Sequence, residues 1–256
     1  MITPKVTGAI ITALVIILGI ALLYPALRVD TKFGSNEQVM AGRNLVLLNF
    51  NILNSSQLPT WCQDLSQFLR DHNIHSTIFV TGVIAESYPN CVSNFSSDTD
   101  IGSMSYTNQK LSTIPDYLDQ LSQIRKGKSA IDGLAKLNST LFRAPYGDVD
   151  DNIYSLLSRS GILADFSYND HYNLYTDGLS GKTFYSFPIK MLTNLSSISS
   201  TNLPENTPFM ANYYNFEPIE KIKNDINATS EYPHQFVSAS ELTKMELTNR
   251  NLSALS

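Results

Sequence analysis

Histidine and cysteine, the side chains that most often bind transition metals or act as nucleophiles, are scarce in this chain. Its 256 residues include four of the first and two of the second. His72, His75, His171 and His234 make no pair at metal-ligand spacing, and Cys62 and Cys91 have no neighbouring His to activate a thiolate. His171, beside Asp170, is the one seed for a metal site, and it lacks further ligands around it; a structural or surface role is expected for all four. Charge is also sparse, at 16% of residues with a net −5 and no Lys/Arg cluster, which argues against a nucleic-acid partner. No Gly-x-Ser-x-Gly elbow and no phosphate-binding glycine loop occurs, so two large enzyme classes drop out. There is no internal repeat and no low-complexity segment.

What is present begins with an apolar run. From Val6 to Leu27 no residue is charged, with Lys5 before the run and Arg28 after it. At a rise of about 1.5 Å per residue this makes a helix of about 33 Å, enough to cross a bilayer core of about 30 Å. The run exceeds the apolar segment of an ordinary signal peptide, and bulky Tyr24 sits where cleavage favours a small residue. A retained N-terminal transmembrane helix is therefore expected over residues 1–28, then a polar linker over 29–43 and one domain over 44–256. Sequons stand at Asn54, Asn94, Asn138, Asn194, Asn227 and Asn251. Cys62 and Cys91 suit either one disulfide in an oxidising compartment or two separately buried thiols.

Hydrophobic residues make up 43% of the chain, enough for one substantial core. After the linker, short apolar strands alternate with helical periodicity. Strands are predicted at 45–50, 76–80, 140–142, 162–166, 184–187, 208–212 and 235–237. Helices are predicted at 58–72, ended by Asn73, and at 84–95, with a break or bend at Pro89. Three more are predicted at 114–137, at 151–159 with Asp150 as N-cap and Gly161 as terminator, and at 239–247. Strand–helix alternation with short connections implies a parallel sheet or barrel with right-handed crossovers.

Several segments lie on this skeleton in a telling order: Leu69-Arg-Asp-His-Asn-Ile-His-Ser-Thr-Ile-Phe-Val-Thr-Gly82, Glu86-Ser-Tyr-Pro89, Ile101-Gly-Ser-Met-Ser-Tyr-Thr-Asn108, Phe142-Arg-Ala-Pro-Tyr-Gly147 and Phe236-Val-Ser-Ala-Ser-Glu-Leu242. In order and spacing they resemble the motifs of the polysaccharide deacetylases, the family 4 carbohydrate esterases with the NodB homology domain. The resemblance implies an α/β fold: a distorted (β/α) barrel of about seven strands, with a groove at the strand C-terminal ends. It also implies a domain outside the cell, where glycan substrates of the family lie.

Active members of that family hydrolyse N-acetyl groups on sugars with one divalent metal such as zinc, an Asp base and a His acid. The resemblance places those roles on altered residues. Asn51 takes the place of the base, and an amide cannot accept the proton of a water molecule. The metal-ligand positions carry Ile52, with no donor atom; Met104, with a soft thioether; and Asn108, with a neutral carbonyl. Asn212 stands where the acid His belongs, and Asn169 where a further Asp does, with Asp165 and Asp170 as other occupants of that role. No metal cofactor is therefore expected. Arg143 survives without its usual Asp, and either binds an anionic group such as a uronate or pairs locally with Asp148, Asp165 or Asp170. Tyr146 survives with it, as part of a turn that shapes the rim. The groove candidates are thus Asn51, Met104, Asn108, Arg143, Tyr146, Asp170 and Asn212.

Three functions follow as expectations. The first is a membrane-anchored pseudoenzyme acting by glycan or protein recognition at the cell envelope. The second is an active carbohydrate N-deacetylase with an atypical metal site. The third is a structural envelope protein with no ligand.

Overall fold

The computed structural model describes residues 44–53, 57–95, 99–135, 138–167, 173–176, 183–186, 190–192, 195, 208–229 and 234–249. The expected membrane span and linker lie outside these residues, as do Asn169, Asp170, His171 and the sequons at Asn54, Asn194 and Asn251. Among the described residues no helix is long and apolar enough to cross a membrane.

One ten-stranded sheet organises the chain. Its strands are β1 (Asn44–Ile52), β2 (Ser76–Val80), β3 (Thr99–Ser103), β4 (Leu141–Phe142), β5 (Ala164–Asp165), β6 (Asn173–Thr176), β7 (Thr183–Ser186), β8 (Lys190–Leu192), β9 (Phe209–Tyr214) and β10 (His234–Val237). They run in the order β6-β7-β5-β4-β3-β2-β1-β9-β8, with β10 added to β1. Every pairing is parallel except β6 with β7. The seven strands expected from sequence are all present, and β3, β6 and β8 are added to them. No pairing of β6 with β8 closes the ring among the described residues, so the sheet is an open curl rather than a complete barrel.

The helices are α1 (Leu58–Asp71), α2 (Gly82–Ser87), α3 (Pro89–Ser93), α4 (Tyr117–Ala135), α5 (Asp151–Arg159), α6 (Ile219–Ala228) and α7 (Ala239–Asn249). Their ends follow local chemistry. Asn73 turns the chain out of α1 with a φ of 51°, a conformation that Asn tolerates. Pro89 splits the segment 82–93 into α2 and α3, because its ring cannot continue the preceding turn. The Asp150 carboxylate accepts from the Ile153 N–H at 2.8 Å and caps α5, which Gly161 ends at a φ of 75°.

Burial separates into faces with a period of two along β1. Val46, Leu48, Phe50 and Ile52 point into an outer core shared with Trp61, Leu65, Phe68 and Leu69 of α1 and with Val92 of α3. Leu45 and Leu47 point the other way, into an inner core with Phe79, Met104, Phe166, Met210 and, from α7, Ala239 and Leu242. A third cluster joins β4 to α4 and α5 through Phe142, Ile124, Ile153 and Leu157.

Cys62 of α1 and Cys91 of α3 form a disulfide, with Cα atoms 5.2 Å apart across a sequence separation of 29. This resolves the two readings of the cysteine pair. Closing a loop of that length in the unfolded chain corresponds to about 3–4 kcal/mol of stability. Replacing both cysteines by serine should therefore lower the unfolding free energy by about that amount, read by urea denaturation under non-reducing conditions. Equal midpoints for the two proteins would show that the bond is not formed.

Candidate functional site

At the C-terminal ends of the strands, where the groove is expected, six of them contribute side chains. By the alternation along β1, Asn49 and Asn51 share the inner face with Leu45 and Leu47. On the neighbouring β9, Asn212 pairs with Asn49 and Tyr214 with Asn51. Phe79 on β2 lies opposite Asn51 in register. The segments after β3, β4 and β5 contribute Met104, Arg143 and Phe166.

The residues at the expected metal positions part company. Ile52 is fully buried, but in the outer core with Phe50, Leu48 and α1, so it fills space between sheet and helices and adds nothing to the groove. Met104 is 3% exposed and packs in the inner apolar cluster with Phe79, Phe166 and Met210. Asn108 lies exposed on the loop that follows β3. This donor set does not fit a divalent cation: it has one outward-facing hydrocarbon, one thioether inside an apolar cluster and one solvent-facing amide, with no negative charge among them. Among the described residues no group of three His, Cys, Asp or Glu is placed to hold a metal.

The remaining histidines in view are structural. His72 is exposed at the end of α1, with Nδ1 2.9 Å from the Phe68 carbonyl. His75 is half-buried before β2, with Nδ1 2.7 Å from Glu241 of α7, at the sheet end opposite the groove. His234 lies on β10, 3.3 Å from the Thr229 hydroxyl.

At the groove the amides are buried more deeply than their partners satisfy. Asn51 donates from Nδ2 to the Tyr213 carbonyl at 3.2 Å, and Asn49 donates from Nδ2 to Met210 Sδ. Their Oδ1 atoms have no hydrogen-bond partner among the described residues. Buried amide oxygens without a donor are uncommon, since each forgoes about 1–3 kcal/mol.

Arg143 follows β4, is 6% exposed, and donates from Nη1 to the Phe166 carbonyl at 2.6 Å; the same nitrogen lies 3.6 Å from Met210 Sδ. Burial lowers the pKa of its guanidinium, while the Tyr214 hydroxyl and the Asp165 carboxylate beside it oppose that shift. The local ion pair considered from sequence is absent among the described residues. Asp148 instead accepts from the Ser112 N–H at 2.8 Å and hydroxyl at 2.9 Å. Asp165 Oδ1 accepts from the Ser167 N–H at 3.1 Å and hydroxyl at 2.6 Å.

Two left-handed residues shape the rim. Tyr146 has a φ of 61° inside the Pro-Tyr-Gly turn and is 69% exposed, with Lys110 Nζ 5.9 Å above its ring. Ser105, immediately after Met104, has a φ of 68°. Its carbonyl accepts from the Gly82 N–H at 2.9 Å and lies so close to Gly127 of α4 that a Cβ there would collide with it. Such conformations cost of the order of 1–3 kcal/mol each in non-glycine residues, and both flank the groove. Nothing in the spacing of the sequence marks Ser105 or Tyr214 as groove residues; the partners that give them a role come from distant segments.

Two outcomes can be measured. Replacing Ile52 with Asp would place an uncompensated charge in the outer core, and should cost about 3–5 kcal/mol in urea denaturation, against about 1 kcal/mol for Ile52→Val. A small effect of Ile52→Asp would mean that the residue faces the groove after all. Burial also raises the Asp165 carboxyl to about 6, against the lowering effects of Ser167 and then Arg143. A folded-state pKa above the unfolded one gives stability that is complete below about pH 4 and lost as pH rises through about 6, here about 3 kcal/mol. Asp165→Asn should flatten the pH profile of unfolding over that window relative to the unmodified chain. Parallel profiles would refute it.

Residues 39–164 match the polysaccharide deacetylase family. No curated protein sequence matches the chain. Among solved structures it is similar to a putative polysaccharide deacetylase from Mycobacterium smegmatis, at 14% identity and a TM-score of 0.64, over 87% of this chain and 97% of that one. It is also similar to the peptidoglycan deacetylase PdaC from Bacillus subtilis, at 14% identity and a TM-score of 0.59, over 82% and 94% of the two chains. A family 4 carbohydrate esterase pseudoenzyme from Bacillus anthracis matches at 13% identity and a TM-score of 0.57, over 79% and 66%. With its ordered motifs, its curled parallel sheet and this sequence match, the chain carries a polysaccharide deacetylase domain over residues 39–164.

Proposed function

We propose that this chain is a catalytically degenerate deacetylase-fold protein, anchored in the membrane by residues 1–28. Its domain faces an extracytoplasmic space, where it recognises glycan or protein at the cell envelope. The observation that carries this reading is the fate of the metal positions: Ile52 belongs to the outer core, Met104 to the inner one, and Asn108 to the solvent. Asn51 adds to it, because an amide at the base position orients a hydroxyl but cannot deprotonate water. Loss of activity within this fold has a parallel in the Bacillus anthracis pseudoenzyme, of which a mutant has restored enzymatic activity.

Placement outside the cytoplasm is supported by the disulfide, which persists in oxidising compartments, and by the uncharged run from Val6 to Leu27. Recognition of glycan rather than a purely structural role is supported by the polar inner face. Asn49, Asn51, Asn212 and Tyr214 line adjacent strands there and present the amide and hydroxyl chemistry that sugar hydroxyls require.

The full chain, purified in mild detergent and incubated with zinc or cobalt and acetylated chito-oligosaccharides, should release no acetate above the blank. Metal-dependent acetate release would overturn this reading in favour of an active N-deacetylase with an atypical site.

A further inference from the structure

The charge on Arg143 is held in a low-dielectric position with no carboxylate in salt-bridge contact among the described residues. Its polar neighbours are the Phe166 carbonyl, Met210 Sδ and the Tyr214 hydroxyl, with the buried Asp165 carboxylate near it but bonded through Oδ1 to Ser167 rather than to the guanidinium. The Tyr214 ring in turn stacks on Phe216, with centroids 5.1 Å apart and planes 13° from parallel. Phe216 is 68% exposed, a large apolar ring standing in solvent at the end of β9. A buried cation, a phenol and an exposed ring pair thus form one continuous path from the groove floor to the rim. The floor also holds the unpartnered Oδ1 atoms of Asn49 and Asn51.

We propose that Arg143, Tyr214 and Phe216 form a subsite for a uronic-acid sugar; this rests on the glycan-recognition reading above. Each part of such a sugar meets a matching part of the site. A guanidinium is a planar fork of donors that fits a carboxylate, and the attraction is strengthened where water is excluded. The stacked ring pair offers a flat apolar surface to the C–H face of a pyranose. Asn51 Oδ1 needs a hydroxyl donor, which a sugar supplies and a simple carboxylate does not. The described acid that competes with a bound carboxylate is Asp165 beside Arg143, buried and bonded through Oδ1 to the Ser167 N–H and hydroxyl. Lys110 beside Tyr146 adds a second positive group. Glu217, the acid next to the ring pair, is taken up by the Tyr214 N–H at 3.0 Å and by Lys221 Nζ at 2.7 Å.

The probes are trigalacturonate, its methyl ester and chitotriose, titrated calorimetrically against the full chain in detergent. The acid should bind at least about tenfold more tightly than the ester, as a lost hydrogen bond to a charged group predicts. That preference should shrink as ionic strength rises and vanish in Arg143→Gln. Phe216→Ala, a change at an exposed position, should weaken acid and ester alike and preserve their ratio. Equal binding of acid and ester by the unmodified chain, at any ionic strength, would overturn the subsite and leave glycan recognition standing. If none of the three saccharides binds, the glycan reading itself falls and the subsite with it.

Discussion

Strand β1 is hydrogen-bonded along both edges, to β9 on one side and to β10 and then β2 on the other, and so it cannot slip or twist out of register. A strand held this way sends consecutive side chains to opposite faces. Asn51 and Ile52 are neighbours in sequence, yet one lines the groove and the other fastens the sheet to α1. Catalysis through adjacent carboxylates would need both residues at the groove. Here the second of the two packs into the outer core, and the apolar side chain that fastens the sheet to α1 offers the groove no donor atom.

The inner face shows a comparable substitution of roles. Met104 and Met210, both flexible and apolar, fill the floor beside Phe79 and Phe166. Polar atoms persist among them: the Asn49 and Asn51 amides and the Arg143 guanidinium are all buried. Burying such groups is costly, and the Asn49 and Asn51 Oδ1 atoms have no hydrogen-bond partner among the described residues to offset it. Their survival sets this groove apart from ordinary core and motivates the recognition reading.

Much of the fold was legible in the sequence because it rests on local rules. The apolar run at 45–50, the helical stripe of Leu65, Phe68 and Leu69, the Asp150 cap and the break at Pro89 all act within a few residues of themselves. What was missed depends on partners. β3 is polar in composition and becomes a strand through pairing with β2, and its Gly102 is required by the ring of Phe79 across the ladder. The helix α6 had a visible signal in Ile219, Ile222 and Ile226, spaced for one face. For the site, motif order picked out Asn51, Met104, Arg143 and Asn212, which the structure places on neighbouring strands and the segments that follow them. It could not show that Ile52 faces outward, that Asp148 and Asp165 are engaged by serines, or that Tyr214 meets Arg143.

The seat that Gly127 provides for the Ser105 carbonyl has a consequence for the loop that follows β3. A glycine inside a helix gives up roughly 1 kcal/mol against alanine, a loss that only the loop's shape justifies. A single methyl group at Gly127 of α4 would unseat the loop that carries Ser105. The shape of that loop is thereby set from another element of the fold, by the absence of a side chain at one position of α4.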